Sequence, residues 1–267
     1  GLSKVVLEKP ISELSYTELA KYCLRDAEIT YKLATFDEKL VLKLIFVISR
    51  VCKLPPEDVC RYSISKWIKS ALYYEHRRRN YLIPSKDYIA RTKGGTAEVA
   101  PVTKGKKYKG AIVISPVKGI HFNVVVLDFA SLYPSIMKRW NLSYETLLCP
   151  HKECMENVVH AEGVSRWVCT KKRGITSLFI GSLRDLRVRY YKPMSKRKDL
   201  PPAQRAWYQA IQSSLKVILN ASYGVFGAEH FALYCLPLAE FITALGRKSI
   251  KETIKKAQEM GMKVIYG

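Results

Sequence analysis

The sequence has 267 residues, and 45 Lys and Arg against 23 Asp and Glu give a formal net charge of +22. Apolar residues form 48% of the chain, which is enough for a core and excludes a disordered basic tail. The strongest candidate for a membrane span, Leu40 to Val51, is too short and contains Lys43 and Arg50. Because a basic surface concentrates polyanions, nucleic acid is the first partner to consider, and the alternative is a soluble basic enzyme that binds no nucleic acid.

The first third of the chain is predicted to be helical. Ser15-Tyr16-Thr17-Glu18 has the pattern of a capping box and predicts the start of a long helix. Tyr22 and Asp26 then fall one turn apart on the same face of that helix. Pro55-Pro56 predicts the start of a second helix that continues to Arg77-Arg78-Arg79, where cations suit a helix C-terminus.

Three apolar runs predict strands. Ala111 to Ile114 reads as a short strand within a Gly- and Lys-rich region from Gly94 to Gly119. Val124 to Leu127 reads as a strand buried on both faces that ends in Asp128. Lys263 to Gly267 reads as a strand that still needs its partner strand.

The ends of the sequence suggest a piece of a larger protein. Residue 1 is Gly rather than Met, and the closing strand stops in mid-hairpin. No charged segment followed by an apolar segment marks a secretory signal, so an intracellular location is predicted.

The second half of the chain is predicted to contain a basic helical pair. Pro134 fits the first turn of a helix that runs toward Trp140. A basic helix from Gly181 to Met194 is followed by a break and then by a helix from Pro202 to Tyr223. One more amphipathic helix is predicted from Leu238 to Met260.

One group of residues could carry phosphate chemistry. Asp128, at the end of an apolar strand, offers the carboxylate oxygens that Mg²⁺ prefers alongside substrate phosphates, although one Asp alone cannot hold two ions. Lys216, Asn220 and Tyr223 share one side of a helix. With Arg187, that side offers cations for a triphosphate and an aromatic ring for a base or sugar.

Two long motifs add a resemblance to a known family. Asp128-Phe129-Ala130-Ser131-Leu132-Tyr133-Pro134-Ser135-Ile136 resembles motif A of family B DNA polymerases, and Lys216-Val217-Ile218-Leu219-Asn220-Ala221-Ser222-Tyr223-Gly224 resembles their motif B. Tyr22-Cys23-Leu24-Arg25-Asp26 is similar to the third exonuclease motif, and Tyr108-Lys109-Gly110-Ala111 to the linker loop. The resemblance covers essentially the whole chain and is nearest to archaeal, crenarchaeal-type replicative enzymes.

The resemblance implies a mixed α/β (α+β) fold, in which helices back an antiparallel palm sheet and a helical hairpin forms the fingers. The implied divisions are 1–52 for the end of a 3′–5′ exonuclease domain, 53–120 for the linker and start of the palm, 121–175 for the palm with motif A, 176–228 for the fingers with motif B, and 229–267 for the palm up to motif C.

The resemblance also implies roles for individual residues in template-directed DNA synthesis with two Mg²⁺ ions. Asp128 and the backbone at Phe129 would hold the metal, and Tyr133 would lie under the sugar ring and select deoxynucleotides. The implied residues for the incoming dNTP are Phe129, Ser131, Leu132, Tyr133, Arg187, Lys216, Asn220 and Tyr223. The implied DNA-binding residues are Lys106, Lys107, Tyr108, Gly110 and Gly224, and Tyr22 and Asp26 would be remnants of the exonuclease site.

The family's motif C, Asp-Thr-Asp, would come directly after Tyr266-Gly267. The chain alone is therefore expected to be inactive and to need the rest of the polymerase, with motif C and the thumb, in cis or as a separate subunit. The other implied partners are primer-template DNA, dNTPs and a sliding clamp, with no membrane, in the cytoplasm or nucleoid of an archaeal cell. The alternative is a catalytically inactive, nucleic-acid-binding or scaffolding protein of the same shape; an RNA-binding sheet domain is disfavoured by the absence of its aromatic pattern.

A cluster of Cys and His allows three states. Cys149, His151, Cys154, His160 and Cys169 lie close together in the sequence, but their spacing is not that of a standard zinc finger. Some hyperthermophilic members of the family bridge the cysteines that correspond to Cys154 and Cys169. A Cys154–Cys169 disulfide, a zinc site and free thiols are all left open.

Overall fold

The computed structural model describes residues 9–94 and 110–267, which fold into helices around a common core and one small sheet. The helices of the first part are α1 (Tyr16–Cys52), α2 (Pro56–Arg61), α3 (Ile64–Arg78) and α4 (Lys86–Lys93). Ser15 caps α1 as predicted: its hydroxyl accepts the Glu18 N–H at 3.3 Å, and the Glu18 carboxylate accepts the Ser15 N–H at 2.8 Å. The predicted second helix is two helices, since Tyr62 and Ser63 are extended between α2 and α3.

Helix α1 is kinked, and only its second half joins the core. Asp37, Glu38 and Lys39 have φ values of 48°, 52° and 62°, a left-handed backbone that breaks the helix. Beyond the kink, Val47 and Ile48 are buried, and α1 packs against α8 (Pro202–Ala221). The half before the kink has no buried residue in the described part.

Helix α5 (Leu132–Arg139) lies at the centre of the second part. It packs against α6 (Ile175–Asp185), α8 and α9 (Leu236–Glu259), with Ile136 and Met137 buried between them. A π-helical segment (Leu186–Tyr191) continues α6 into the short α7 (Lys192–Met194), and both pack against α8. Short 3₁₀ helices lie at Ile11–Glu13, Lys152–Cys154 and Gly224–Gly227.

The predicted helical pair is therefore present, with α6 to α7 as one arm and α8 as the other. The sheet consists of β1 (Val158–Ala161) and β2 (Val164–Trp167), which are antiparallel, with Val158 opposite Trp167 and Ala161 opposite Val164. Gly163 has a φ of 75° in the two-residue turn between them, a conformation that favours glycine. The α+β class is confirmed.

The predicted strands are not where this sheet lies. Val124 to Leu127 does not form a strand. It is also not buried, since Val124 is 51% exposed and Val126 is 86% exposed. The prediction was wrong for a physical reason: a strand buried on both faces needs neighbours, and no backbone group in 9–94 or 110–267 pairs with this run.

The segments 111–114 and 263–267 are also not regular strands. They nevertheless run beside each other, since the Ile114 N–H donates to the Gly267 carbonyl at 2.6 Å and the Val117 N–H to that of Ile265 at 2.8 Å. Two bonds hold the segments together without making a ladder. Among the helices that the structure describes, none is long and apolar enough to cross a membrane.

Candidate functional site

The segment from Asp128 to Ser131 forms an exposed approach to helix α5. Asp128 is exposed, and Phe129 is 42% exposed. Ser131, the residue before α5, has φ 58° and ψ 64°. Residues other than Gly seldom adopt this backbone, and such positions are concentrated at functional sites.

Arg187 joins this segment to the two arms of the helical pair. Its Nη1 donates to Ser131 Oγ at 3.1 Å, and its Nε donates to the Gln212 carbonyl on α8 at 3.3 Å. Only 9% of Arg187 is exposed, and burial lowers its pKa, although a guanidinium stays charged in proteins. The structure thus brings together Ser131 and Arg187, both named from the sequence.

The π-helical turn that carries Arg187 had no sequence signal. Segments of this kind are rare and occur mostly as single turns at functional sites. Arg187 is the buried residue of the segment.

Tyr133 and Tyr223 stack on each other next to the backbone of α9. Their ring centroids are 4.1 Å apart and the rings are tilted by 40°. A Cβ added to Gly246 on α9 would lie 2.8 Å from Tyr133 Cε1, so this glycine makes room for the ring. The motifs in the sequence predict a role for both tyrosines but not for Gly246, whose only signal is an isolated Gly inside a helical pattern.

Lys216 and Asn220 lie one turn apart on α8 and are both exposed. Tyr223 follows just after the C-cap residue Ser222 and is half-buried. In the described residues neither Lys216 nor Asn220 has a polar partner, so both polar groups face solvent. The structure therefore leaves them available to a ligand.

A partly buried ionic network links α5 to α6. Arg184 donates from Nε to Ser135 Oγ at 3.1 Å and from Nη1 to Asp185 Oδ1 at 3.0 Å, and Lys138 also donates to Asp185. Burial raises the pKa of Asp185, but hydrogen bonds from Lys138 and Arg184 outweigh it and hold that pKa below the ordinary value. No local sequence pattern predicts this network, because its members belong to separate segments.

The carboxylate of Asp128 is suited to a divalent cation. It is exposed, and no described residue makes a hydrogen bond or an ion pair with it. In 9–94 and 110–267, the only gathering of three or more candidate ligand groups lies elsewhere, at the cysteine cluster. The Asp128 carboxylate could therefore serve as one ligand of a hard divalent cation.

The remaining predicted residues are dispersed. Tyr22 and Asp26 are half-buried on the first half of α1. The Gly110 carbonyl accepts a hydrogen bond from Arg247 Nη1 at 2.8 Å, and Gly224 opens a 3₁₀ helix. Lys106, Lys107 and Tyr108 lie outside the described residues.

The structure does not join Cys154 to Cys169. All seven cysteines are free thiols, which differs from the pairing implied by the resemblance. The two sulfurs and the ligand atoms of Cys149 and His151 instead all lie within 4.8 Å of one another. A Cys154–Cys169 disulfide would use only two of these four candidate metal ligands.

Comparison with known proteins decides the family. The model of DNA polymerase family B matches residues 54–267. The chain belongs to this family. The fold is likewise that of a segment of a family B polymerase.

Individual polymerases match the whole chain. DNA polymerase 1 of Aeropyrum pernix is 48% identical and that of Sulfolobus acidocaldarius 50% identical, each over 100% of this chain but only 28% and 30% of the relative. The structure of the family B DNA polymerase from the hyperthermophilic archaeon Pyrobaculum calidifontis superimposes with a TM-score of 0.67 at 31% identity, covering 94% of this chain and 31% of the other. The chain spans less than a third of the length of these polymerases.

Proposed function

We propose that this chain carries part of the active site of a template-directed DNA polymerase, which transfers dNTPs to a primer 3′ end. The observation that carries the proposal is the hydrogen bond from Arg187 to Ser131. This bond ties a buried cation from the fingers arm to the left-handed backbone at Ser131. Ser131 lies three residues after Asp128, an exposed carboxylate with no polar partner in 9–94 or 110–267. Family membership and the polymerase names of the relatives support the same activity.

The proposed division of labour follows from charge and exposure. Asp128, with the backbone at Phe129, would hold Mg²⁺, which when bound in a two-ion site supplies charge stabilisation at the attacking and leaving oxygens. Arg187, Lys216 and Asn220 would bind the triphosphate and offset the negative charge that grows on its leaving group. The backbone and side chains from Phe129 to Leu132 would complete the triphosphate-binding site.

The stacked tyrosines are proposed to select and position the nucleotide. Tyr133 is held from behind by the α9 backbone at Gly246, so its ring cannot retreat from a substrate group that approaches it. A 2′-hydroxyl against that ring would clash, whereas a deoxyribose would pack. Tyr223, in contact with Tyr133, would lie against the nascent base pair.

The complete protein is proposed to need further residues. A single carboxylate cannot hold two ions, so we infer that an Asp-Thr-Asp segment and a thumb act with this chain, in cis or as a separate subunit. The same proposal includes the domain divisions given by the resemblance and the assignment of Tyr22 and Asp26 to an exonuclease site. It also includes primer-template DNA and a sliding clamp as partners. The residues proposed to contact DNA are Lys106, Lys107, Tyr108, Gly110 and Gly224.

Primer extension tests this function directly. Labelled dNTPs, Mg²⁺ and primer-template are incubated with the chain alone and with the chain plus a polypeptide that supplies Asp-Thr-Asp and the thumb. We expect extension only in the mixture, and size-exclusion chromatography verifies that the two parts associate. An associated mixture that binds DNA in a salt-sensitive way but extends no primer would favour the inactive binding protein instead.

Gly246→Ala is expected to weaken sugar selection without touching the substrate. The added methyl group would meet Tyr133 Cε1 at 2.8 Å and push the ring out of place. In the active mixture we expect the preference for dNTP over rNTP to fall by about tenfold, the scale of a changed steric contact in a pocket. The ratio of the two kcat/KM values measures it.

Two further variants make that result interpretable. Tyr133→Val should lower the same preference at least as much, because it removes the ring itself. Lys255→Ala, on the exposed side of α9, should leave the preference unchanged. A normal preference in Gly246→Ala beside a lowered one in Tyr133→Val would contradict the proposed support of the ring by α9.

A further inference from the structure

Four metal-ligating side chains converge beside the β1–β2 hairpin. The ligand atoms of Cys149, His151, Cys154 and Cys169 all lie within 4.8 Å of one another, and His151 Nδ1 is 3.5 Å from Cys169 Sγ. In a tetrahedral zinc site with Zn–S distances of about 2.3 Å, neighbouring ligand atoms are about 3.8 Å apart. We propose that these four residues form a structural zinc site of the Cys₃His type.

The ligands are held in place before any metal arrives. The three cysteines are almost fully buried and form a small cluster of their own, which Trp167 covers. Trp167 Nε1 donates to the Cys149 carbonyl at 2.9 Å, and the Cys169 N–H donates to the Thr146 carbonyl at 2.9 Å. This scaffold excludes water from the sulfurs and restrains both segments that carry them.

Polar groups next to the sulfurs suit the charged form that binds metal. The Thr170 N–H donates to Cys154 Sγ at 3.4 Å, and the Thr170 hydroxyl lies 3.4 Å from the same sulfur. Hydrogen bonds of this kind orient a thiolate ligand and help to stabilise its charge. Thiolate sulfur and imidazole nitrogen together favour zinc over hard cations such as Mg²⁺.

The four candidate ligands lie on both sides of the β1–β2 hairpin in the sequence. Cys149, His151 and Cys154 come from the segment before β1, whereas Cys169 comes just after β2. The Cys169 carbonyl accepts a hydrogen bond from Asn141 Nδ2 at 2.9 Å, and Asn141 Oδ1 accepts the Gly174 N–H at 2.9 Å just before α6. A metal here would fasten the hairpin to the start of the helix that leads to Arg187.

Metal analysis of the purified chain tests this site independently of DNA synthesis. With reductant present, mass-spectrometric metal analysis should find about one zinc per chain. Cys154→Ser should lose most of that zinc, and Cys60→Ser, which changes an exposed thiol outside the cluster, should keep it. Chelation should lower the melting temperature of the wild type and of Cys60→Ser.

Cobalt substitution covers the case in which Cys154→Ser fails to fold. The metal-free wild-type chain titrated with Co²⁺ should develop the visible absorption of a tetrahedral thiolate site, with a break at about one equivalent. His151→Cys should retain binding with a shifted spectrum. A folded, zinc-free chain that gives no such spectrum would overturn the proposal, as would a Cys154–Cys169 disulfide, seen as two fewer alkylated cysteines without reductant.

Discussion

Replacing Asp128 by Asn is expected to abolish nucleotide addition in the active mixture. The change keeps the shape of the side chain but removes the charge that would hold Mg²⁺. If the carboxylate contributes about 4 kcal/mol to stabilisation of the transition state, the rate falls by roughly 10³-fold. Pre-steady-state primer extension at saturating dNTP measures this loss.

Stability and DNA binding should be nearly unaffected by Asp128→Asn. Asp128 is exposed and has no polar partner in the described residues, so its removal breaks no contact there. Asp87→Asn, an exposed carboxylate on α4, is the matched control and should retain full extension. If both variants extend primers at the wild-type rate, Asp128 is not the metal-binding carboxylate.

Local signals were sufficient for the start of α1 and for helices α8 and α9. The capping box at Ser15 and Glu18 lies within four residues, so it can be read from the sequence and is found in the structure. Helices α8 and α9 begin and end within two residues of their predicted bounds, because Pro at the start and Gly or a polar run after the end mark them.

Strands and strained turns needed information that the sequence does not display locally. The apolar run from Val124 to Leu127 has the composition of a buried strand, but burial depends on neighbouring strands that local composition cannot specify. The β1–β2 hairpin was missed because its strands have four residues each, too few for a clear alternation. The π-helical turn at Arg187 packs against α8, which lies in a separate stretch of the sequence.

In the candidate site, too, the motif residues can be predicted from the sequence, whereas the contacts that support them cannot. The sequence predicts roles for Ser131, Tyr133 and Tyr223 from their motifs and for Arg187 from its place on the preceding basic helix. The structure joins these residues in two pairs, by a hydrogen bond and by a ring contact. Gly246 supports Tyr133 from more than a hundred positions away in the sequence. Supporting contacts of that kind are set by tertiary packing, and a motif does not contain them.

Arg187→Ala is expected to slow nucleotide addition by about 10²- to 10³-fold, the usual effect of removing one preorganised charge-stabilising donor. Arg187→Lys should rescue little of it. An ammonium lacks the planar fork that lets Arg187 donate to Ser131 and to the Gln212 carbonyl at once. Single-turnover extension over a range of dNTP concentrations separates the maximal rate from the apparent Kd.

Arg189→Ala separates this role from general loss of positive charge. Arg189 lies on the same π-helical segment, is 72% exposed in its side chain, and is 3.9 Å from Asp185. A pair so exposed contributes little, about 0–1 kcal/mol, so extension should stay within a fewfold of the wild type. Because Arg187 is buried, its removal also lowers the melting temperature, and assays are run well below that temperature for every variant.

Equal defects in Arg187→Ala and Arg189→Ala would mean that the basic surface as a whole attracts the substrate. A defect in Arg187→Ala alone, in the maximal rate as well as the apparent Kd, would mean that this guanidinium acts on the reacting phosphates.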